Sequence, residues 1–508
     1  MLRYPCRSGR SGIGPGRAAS PPQVSNLPHG DLGANLVEAR AGEPPAMRDA
    51  QRHFLLLGCS LWLAGCAGGS RQPPPARWTT GFWFWQGSYQ GVMPSGETAD
   101  VLFVQAGTIS SRPGKPKPRW DVYGSWEEDL PAAREYWAVF RYDRPEVPDI
   151  EVASALASKV AALGSAARER KLPFVGVQLD IDSPTGALSR YAGFLRELRK
   201  RLPPGTRVSI TALLDWFRGG TNIGDVIEQA DEFVPQFYDL AGARDSDRRA
   251  AIAARIDAAR WGPAFQRFGK PFRIGISTFG RASVLRADRS GSGGRVFSSF
   301  RDLRPLDVAV DPAFELQASR NEANETVLSY RAVRAASFGY SRVETGDTVQ
   351  FVVSTPESVR AAVESARRMG GYCAGVVLFR WPGRNESLAM QPDEVLEAAG
   401  VRAAGGGPGS RVHLHDGACA AVTCVDVYLE SSGPLSPRAI RYRIRASAPL
   451  EYFLPEEHIP VQMVAPAELE VRMPAYCGRN RLYIGRAVSL RPVEFQVAEE
   501  PLTDRRAP

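Results

Sequence analysis

The residues best suited to chemistry stand at the end of one short, mostly apolar segment. Phe174–Leu179 leads directly into Asp180 and Asp182. Such a run is typical of a strand buried on both faces of a parallel sheet. Because strand side chains alternate, the two carboxylates are predicted to point the same way. When two carboxylates lie this close together, their repulsion raises the pKa of one of them, and that carboxyl group can act as a proton donor. The alternative is a pair that forms a turn or caps the next helix.

Two other strand ends carry candidate polar groups. Tyr238 and Asp239 end the segment that begins at Gln236, and Asp215 follows Leu214 at the end of another. A tyrosine hydroxyl there can donate a hydrogen bond to a reacting group, and Asp239 can orient its neighbours. Tyr238 can equally be a buried strand aromatic, and Asp215 a helix cap.

Aromatic residues suited to sugar stacking occur at both ends of the same region. Trp83 and Trp85 alternate with phenylalanines in one strand, so they face one side. They could form the floor of a saccharide subsite, or they could be core. At the last strand, Phe379 and Trp381 are predicted to share a face, and Trp381 is the preferred stacking residue.

Alternating strands and helices must position these groups. Helices are predicted over 151–170, 188–202 and 356–369, and 280–350 is predicted to be an insertion. With eight strands this pattern indicates an α/β fold, a (β/α)8 barrel with an insertion after strand 7. The predicted strands are Gly81–Gln86, Val101–Gln105, Tyr136–Tyr142, Phe174–Ile181, Val208–Leu213, Phe233–Tyr238, Phe272–Ser277 and Gly375–Phe379.

The flanking sequence divides the chain further. Short alternating strands after the Gly-rich tract predict a small C-terminal β-sandwich. The predicted divisions are a disordered extension at 1–46, a signal peptide at 47–66, a linker at 67–78, the barrel at 79–400, a linker at 401–410 and the β-rich domain at 411–508.

The segment before the barrel predicts export. Arg48 and Arg52 precede an apolar stretch that is too short to span a bilayer as a helix. Leu63–Cys66 resembles a bacterial lipobox, which implies lipidation of Cys66 and an outer-membrane anchor facing the periplasm. A secreted protein with a chance cysteine is the alternative.

Composition excludes several classes of function. A formal net charge of +8 over 508 residues, with no concentrated basic stripe, argues against nucleic-acid binding. No histidine lies between His53 and His413, so the central region has no Ser-His-Asp triad and no histidine-based metal site. No cofactor is expected. Cys419, Cys424 and Cys477 predict one disulfide in the C-terminal region, with the pair undecided. The oligomeric state is not predicted.

The strand motifs resemble those of glycoside hydrolase family 18, the chitinase-like barrels. That family's fourth strand carries the motif D-G-x-D-x-D-x-E, which aligns with Val175–Asp182. Gly176 and Asp180 match the motif's Gly and third Asp, and Asp182 occupies the position of the catalytic Glu. Val175 and Gln178 replace two aspartates. The segments at Gln236–Asp239 and Ile274–Arg281 resemble the sixth and seventh strands, and Phe379 stands at a floor tryptophan. The whole chain resembles a bacterial lipoprotein family known only as domain of unknown function 3142.

This resemblance implies a protein that acts on an N-acetylated polysaccharide. Asp182 would be the acid/base, Asp180 would raise its pKa and position the acetamido group, and Tyr238 would stabilise the intermediate. Aspartate is one methylene shorter than glutamate, roughly 1.5 Å. A barrel that binds saccharide or an envelope partner without cleaving it therefore stands as the alternative. A third hypothesis is divalent-cation binding by Asp180, Asp182 and Asp239.

Overall fold

A computed structural model describes most of the chain from Gln72 onward. The described residues are 72–75, 77–85, 98–110, 119–122, 130–142, 144, 147–148, 150–238, 253, 255–287, 297–300, 303–338, 341–382, 387–402, 410–417, 419, 423–431, 435–457, 459–477, 479 and 481–502. The proposed lipidation residue Cys66 and the candidate Asp239 lie outside them.

The first part of the chain supplies seven of the eight strands of a closed parallel barrel. Its strands are β1 (Thr79–Phe84), β2 (Ala99–Ser110), β3 (Arg119–Val122), β4 (Ala133–Tyr142), β5 (Phe174–Ile181), β6 (Arg207–Ala212), β7 (Glu232–Pro235) and β8 (Phe272–Ser277). Of these, β3 is a short antiparallel addition beside β2 and is not a barrel strand.

Helices cover the outside of the barrel. They are α1 (Ile150–Glu169), α2 (Leu188–Arg199), α3 (Ile223–Glu228) and α4 (Ala258–Gln266). In α2 the residues Leu188, Tyr191, Leu195 and Leu198 are buried. Their helical spacing places them on the one face that packs against the strands.

An insertion follows β8. It contains β9 (Arg281–Leu285), β10 (Phe297–Phe300), α5 (Pro305–Ala309), β11 (Phe314–Arg320), β12 (Thr326–Ala332), β13 (Ala336–Phe338), β14 (Ser341–Val343) and β15 (Thr348–Val353). Five of these strands form an antiparallel sheet in the order β10-β9-β15-β12-β11, and β13 pairs with β14. The insertion predicted after strand 7 therefore forms a sheet with its own hydrophobic core.

The chain then returns to close the barrel. Thr355 is the N-cap of helix α6 (Pro356–Arg367), and its hydroxyl accepts a hydrogen bond from the Ser358 N–H. It leads into β16 (Cys373–Phe379), which pairs with both β8 and β1, and α7 (Pro392–Ala398) follows. Because β1 also pairs with β2, the eight parallel strands form a closed ring. The predicted (β/α)8 class is confirmed, and each predicted strand overlaps a barrel strand.

The C-terminal region is rich in β-structure, as predicted. Its strands are β17 (Arg411–Asp416), β18 (Thr423–Glu430), β19 (Ile440–Ala446), β20 (Tyr452–Pro455), β21 (Val461–Ala465), β22 (Glu468–Met473), β23 (Arg481–Ser489) and β24 (Phe495–Pro501). They form two four-stranded sheets, in the orders β17-β18-β23-β20 and β21-β22-β19-β24.

One apolar core joins these two sheets. Val427 and Ile484 from the first sheet lie in the same buried cluster as Ile444 and Val471 from the second. Leu306 of α5 belongs to this cluster as well, so the insertion packs against the C-terminal region. The predicted disulfide joins Cys419 to Cys424.

Among the described residues, no helix is both long enough and apolar enough to cross a bilayer.

Candidate active site at the barrel mouth

The barrel mouth, where the carboxyl ends of the parallel strands meet, contains the predicted carboxylates. Asp180 is the penultimate residue of β5 and is only 6% exposed. Its carboxylate accepts a hydrogen bond from the Thr211 hydroxyl at 2.9 Å and one from an Arg141 Nη at 3.3 Å. Arg141 is the penultimate residue of β4 and Thr211 is the penultimate residue of β6, so the strands on both sides of β5 hold Asp180 in place.

Asp182 differs from Asp180 in its environment. It lies one residue beyond β5 and is exposed. The loop that carries it is fixed, because the Trp216 indole N–H donates to the Ser183 carbonyl at 2.9 Å. One side chain at the strand end is therefore buried and held, whereas the second faces solvent.

Both carboxylates act on the same buried hydroxyl. Burial raises the pKa of Tyr191, on α2, well above its ordinary value, and the negative charges of Asp180 and Asp182 raise it further. The charges of both aspartates therefore reach the same hydroxyl.

Tyr238 lies just beyond β7 with its ring in the barrel interior. The Gln236 amide donates to its hydroxyl at 3.2 Å. The ring stacks on Phe379, with centroids 5.1 Å apart and planes inclined by 15°. Gly275 makes room for it, since a Cβ there would lie 3.2 Å from the Tyr238 ring. Tyr238 therefore contacts both Gln236 and Phe379.

Phe379 is the centre of an aromatic cluster at the mouth. The partly exposed Trp85 contacts it edge-on at 5.7 Å, and Phe279 does so at 5.3 Å. Phe379 itself is partly exposed. Of the four predicted stacking residues, Trp85 and Phe379 are therefore the two that a ligand at the mouth could reach.

The two other predicted stacking residues are buried. Trp83 is 1% exposed and fills the barrel interior, where its indole N–H donates to Gln178. Trp381 is fully buried outside the barrel against Phe82, at 5.2 Å between ring centroids. The predicted shared face of Phe379 and Trp381 is incorrect, because β16 ends at Phe379 and strand alternation ends with it. Trp381 is therefore not accessible to a sugar.

Asp215 is separate from the barrel interior. It is exposed on a short 3₁₀ turn and forms an ion pair with Arg218 at 2.7 Å. Asp215 lies within this turn (Leu214–Phe217), whose N-cap residue is Leu213, so Asp215 does not cap it. The ion pair with Arg218 gives no support to the predicted binding role.

A chain of buried polar contacts runs below the site. Gln178, at a position where the resembled motif has Asp, accepts the Trp83 indole N–H at 2.6 Å and donates to Ser209 at 3.0 Å. Ser209 donates to Glu232 at 3.2 Å, and Glu232 forms a buried ion pair with Arg273. Gln178 is thus part of the barrel's internal support, with both ends of its amide occupied.

Sequence reasoning missed Arg141, Thr211 and the pair Glu232–Arg273. A signal was present, because Arg141 follows the apolar run Tyr136–Phe140 in β4 and Arg273 is the single charged residue of β8. A charge at such a position is rarely buried without a partner.

Within the described residues no cluster of three or more His, Cys, Asp or Glu side chains is arranged to hold a metal ion. The cation hypothesis included Asp239, which is outside those residues.

A family model described as a domain of unknown function (DUF3142) matches residues 133–336. No curated protein matches the chain. Among solved structures, the spore cortex-lytic enzyme SleL of Bacillus megaterium QM B1551 is similar at 14% identity, covering 64% of this chain and 74% of its own, with a TM-score of 0.38. Chitinase ChiA74 from Bacillus thuringiensis is similar at 10% identity, covering 83% of this chain and 100% of its own, with a TM-score of 0.39. A family GH18 chitinase from Chromobacterium violaceum is similar at 11% identity, covering 83% and 90%, with a TM-score of 0.37.

Proposed function

We propose that the barrel mouth binds an N-acetylated glycan and hydrolyses it, with Asp182 as the acid/base. The observation that carries this proposal is the contrast between the two carboxylates that end β5. Asp180 is buried and held by Arg141 and Thr211, whereas Asp182 faces solvent on a fixed loop. A fixed charge beside an accessible proton donor is the arrangement that acid catalysis requires.

Each group has a role in this proposal. Asp182 protonates the glycosidic oxygen while the substrate's own acetamido oxygen attacks the sugar carbon, so the glycosidic C–O bond breaks and the leaving sugar departs with the proton, as in the substrate-assisted exceptions to the two-carboxylate scheme. Water then gives a proton to Asp182 as its oxygen attacks the same carbon, which reopens the cyclic intermediate and restores the acid. Asp180 positions the acetamido group. The Tyr238 hydroxyl, which Gln236 orients, donates to the developing intermediate. Phe379 and Trp85 supply apolar surface for the sugar ring.

The second candidate is a barrel that binds saccharide without cleaving it. Two observations favour it: Arg141 already engages the Asp180 carboxylate, and Gln178 is bound at both ends of its amide. An inactive site would keep the aromatic cluster and the polar contacts yet transfer no proton.

Turnover measurements separate the two candidates. Purified protein is incubated with chitin-type, peptidoglycan and exopolysaccharide fragments, and released reducing ends are counted. Loss of a general acid lowers the rate by about 10²–10⁴-fold, so Asp182→Asn should abolish most turnover. Asp180→Asn should do so too, whereas Asp215→Asn, in an exposed pair, should not. Saccharide binding without turnover, unchanged in Asp182→Asn, would identify the binding protein.

The proposed location is the cell envelope, with Cys66 lipidated and anchored in the outer membrane. The lipobox resemblance supports this part of the proposal. Mass spectrometry of the native N-terminus tests it, and a Cys66→Ser variant should appear in the soluble periplasmic fraction.

A further inference from the structure

The outward face of the sheet β17-β18-β23-β20 carries tyrosines. Val427 and Ile484 point into the core, so Tyr428 and Tyr483 point outward by strand alternation. They stand directly opposite each other on β18 and β23, with ring centroids 5.3 Å apart. On the edge strand β20, Tyr452 is 47% exposed. We call this surface the tyrosine face.

Charged and polar groups surround these rings. The Arg481 guanidinium lies over the Tyr428 ring at 5.4 Å, and one of its Nη atoms is 2.6 Å from Nε2 of His415. The His415 ring meets Tyr428 edge-on at 4.9 Å. Asp426 and Arg486, opposite each other on the same face, form a paired contact at 2.7 and 3.2 Å.

Arg481 differs from Arg486 in its partner. Its nearest side-chain partner is Nε2 of His415, and a guanidinium can only donate. Glu430 stands opposite Arg481 but contacts His413. Among the described residues, Arg481 therefore contacts a histidine nitrogen and forms no ion pair with a carboxylate. A guanidinium in this position is suited to the paired hydrogen bonds that a ligand carboxylate accepts.

We propose that the tyrosine face binds a glycan whose sugar units carry carboxylates. The tyrosine rings receive the apolar faces of the sugars, and Arg481 receives a carboxylate. Four strands about 4.8 Å apart give a surface roughly 14 Å wide, enough for an oligosaccharide. This site shares no residue with the barrel mouth, and the proposal does not depend on hydrolysis there.

The alternative is that these side chains only stabilise the sheet, since cross-strand aromatic and charged pairs do so. Binding of polygalacturonate, a polymer of carboxylated sugars, separates the two possibilities when measured by calorimetry on the whole protein. A neutral N-acetylglucosamine oligomer is the comparison ligand. Binding of the polyuronate should weaken as salt is added, because salt screens exposed charges.

Variants locate the site. Arg481→Gln should weaken polygalacturonate binding by at least about tenfold, and Tyr483→Phe, which keeps the ring, should weaken it much less than Tyr483→Ala. Arg491→Gln changes an exposed arginine on the turn after β23 and should leave binding as it was. Thermal unfolding of each variant detects any loss of the fold.

Two results would overturn the proposal: no polyuronate binding by the unmodified protein, or equal binding by the protein and its Arg481→Gln variant at unchanged thermal stability. Asp182→Asn is the test that keeps the two sites apart. Loss of turnover with unchanged polyuronate binding is expected from two independent sites. Absence of turnover in the unmodified protein as well would count against the barrel proposal alone.

Discussion

Arg141 and Asp180 stand directly opposite each other on β4 and β5, and their side chains form an ion pair at 3.3 Å. The Asp180 side chain is 7% exposed, whereas that of Arg141 is 33% exposed. Arg141 thus lies between solvent and the buried Asp180, and its positive charge offsets part of the free-energy cost of burying that carboxylate.

Removing the cation should destabilise the protein. Arg141→Gln leaves Asp180 buried with the Thr211 hydroxyl as its remaining side-chain donor, and the expected loss is about 1–3 kcal/mol, reduced from a fully buried pair because Arg141 is partly exposed. Urea unfolding measures it. Arg218→Gln, in an exposed pair, should change stability by less than about 0.5 kcal/mol. Adding Asp180→Asn should recover part of the loss, and equal stability of the two arginine variants would contradict this account.

The buried amide of Gln178 should be costly to remove. Gln178→Leu leaves the Trp83 indole N–H without an acceptor and takes a donor from Ser209, and we expect a loss of about 2–4 kcal/mol in the free energy of unfolding. Gln350→Leu is the matched control, because Gln350 makes one longer bond, to Ser329 at 3.3 Å, in the insertion sheet. Similar losses in both variants would mean that the chain of buried contacts contributes no more to the free energy of unfolding than a single hydrogen bond does.

Two glycines should respond in opposite directions to alanine. A Cβ on Gly375 would lie 1.9 Å from the Thr79 carbonyl oxygen, at a φ of +147°, so Gly375→Ala should prevent normal pairing of β16 with β1. Gly193 lies in α2 with open space around it, and Gly193→Ala should stabilise the protein by about 0.5–1 kcal/mol. Thermal midpoints test both; a stable Gly375→Ala variant would contradict the close approach.

Asp347 should make the insertion sensitive to acid. Burial raises the pKa of Asp347, but the Glu344 and Ala287 N–H groups and the Arg286 guanidinium outweigh burial and hold it below its ordinary value. A depressed native pKa adds stability that is complete above the unfolded-state pKa of about 3.9 and is lost as pH falls through the native value. Asp347→Asn should therefore lower the thermal midpoint near neutral pH and flatten its fall below about pH 4. A parallel fall in both proteins would refute this.

The strands and the packed helix faces could be predicted because local pattern determines them. Phe174–Ile181 has the predicted bounds, and Leu188, Tyr191, Leu195 and Leu198 are buried as their spacing indicated. Trp381 shows where alternation fails: its orientation depends on where β16 ends, and sequence predicts element ends poorly.

The partners of the site could not be predicted because they come from other strands. Arg141 meets Asp180 across 39 residues, and Arg273 meets Glu232 across 41. Such pairs depend on strand register, which one sequence does not reveal. The roles of Asp180, Asp182 and Tyr238 stay predictions until turnover is measured.

Closure of the barrel has a consequence for biogenesis. The Thr79 hydroxyl on β1 bonds to the carbonyl of Ala374 on β16, 295 residues later. The ribosome must therefore release nearly the whole barrel, insertion included, before the first strand acquires its second neighbour. Until then the growing polypeptide presents two open strand edges, and we expect it to need chaperone protection during that interval.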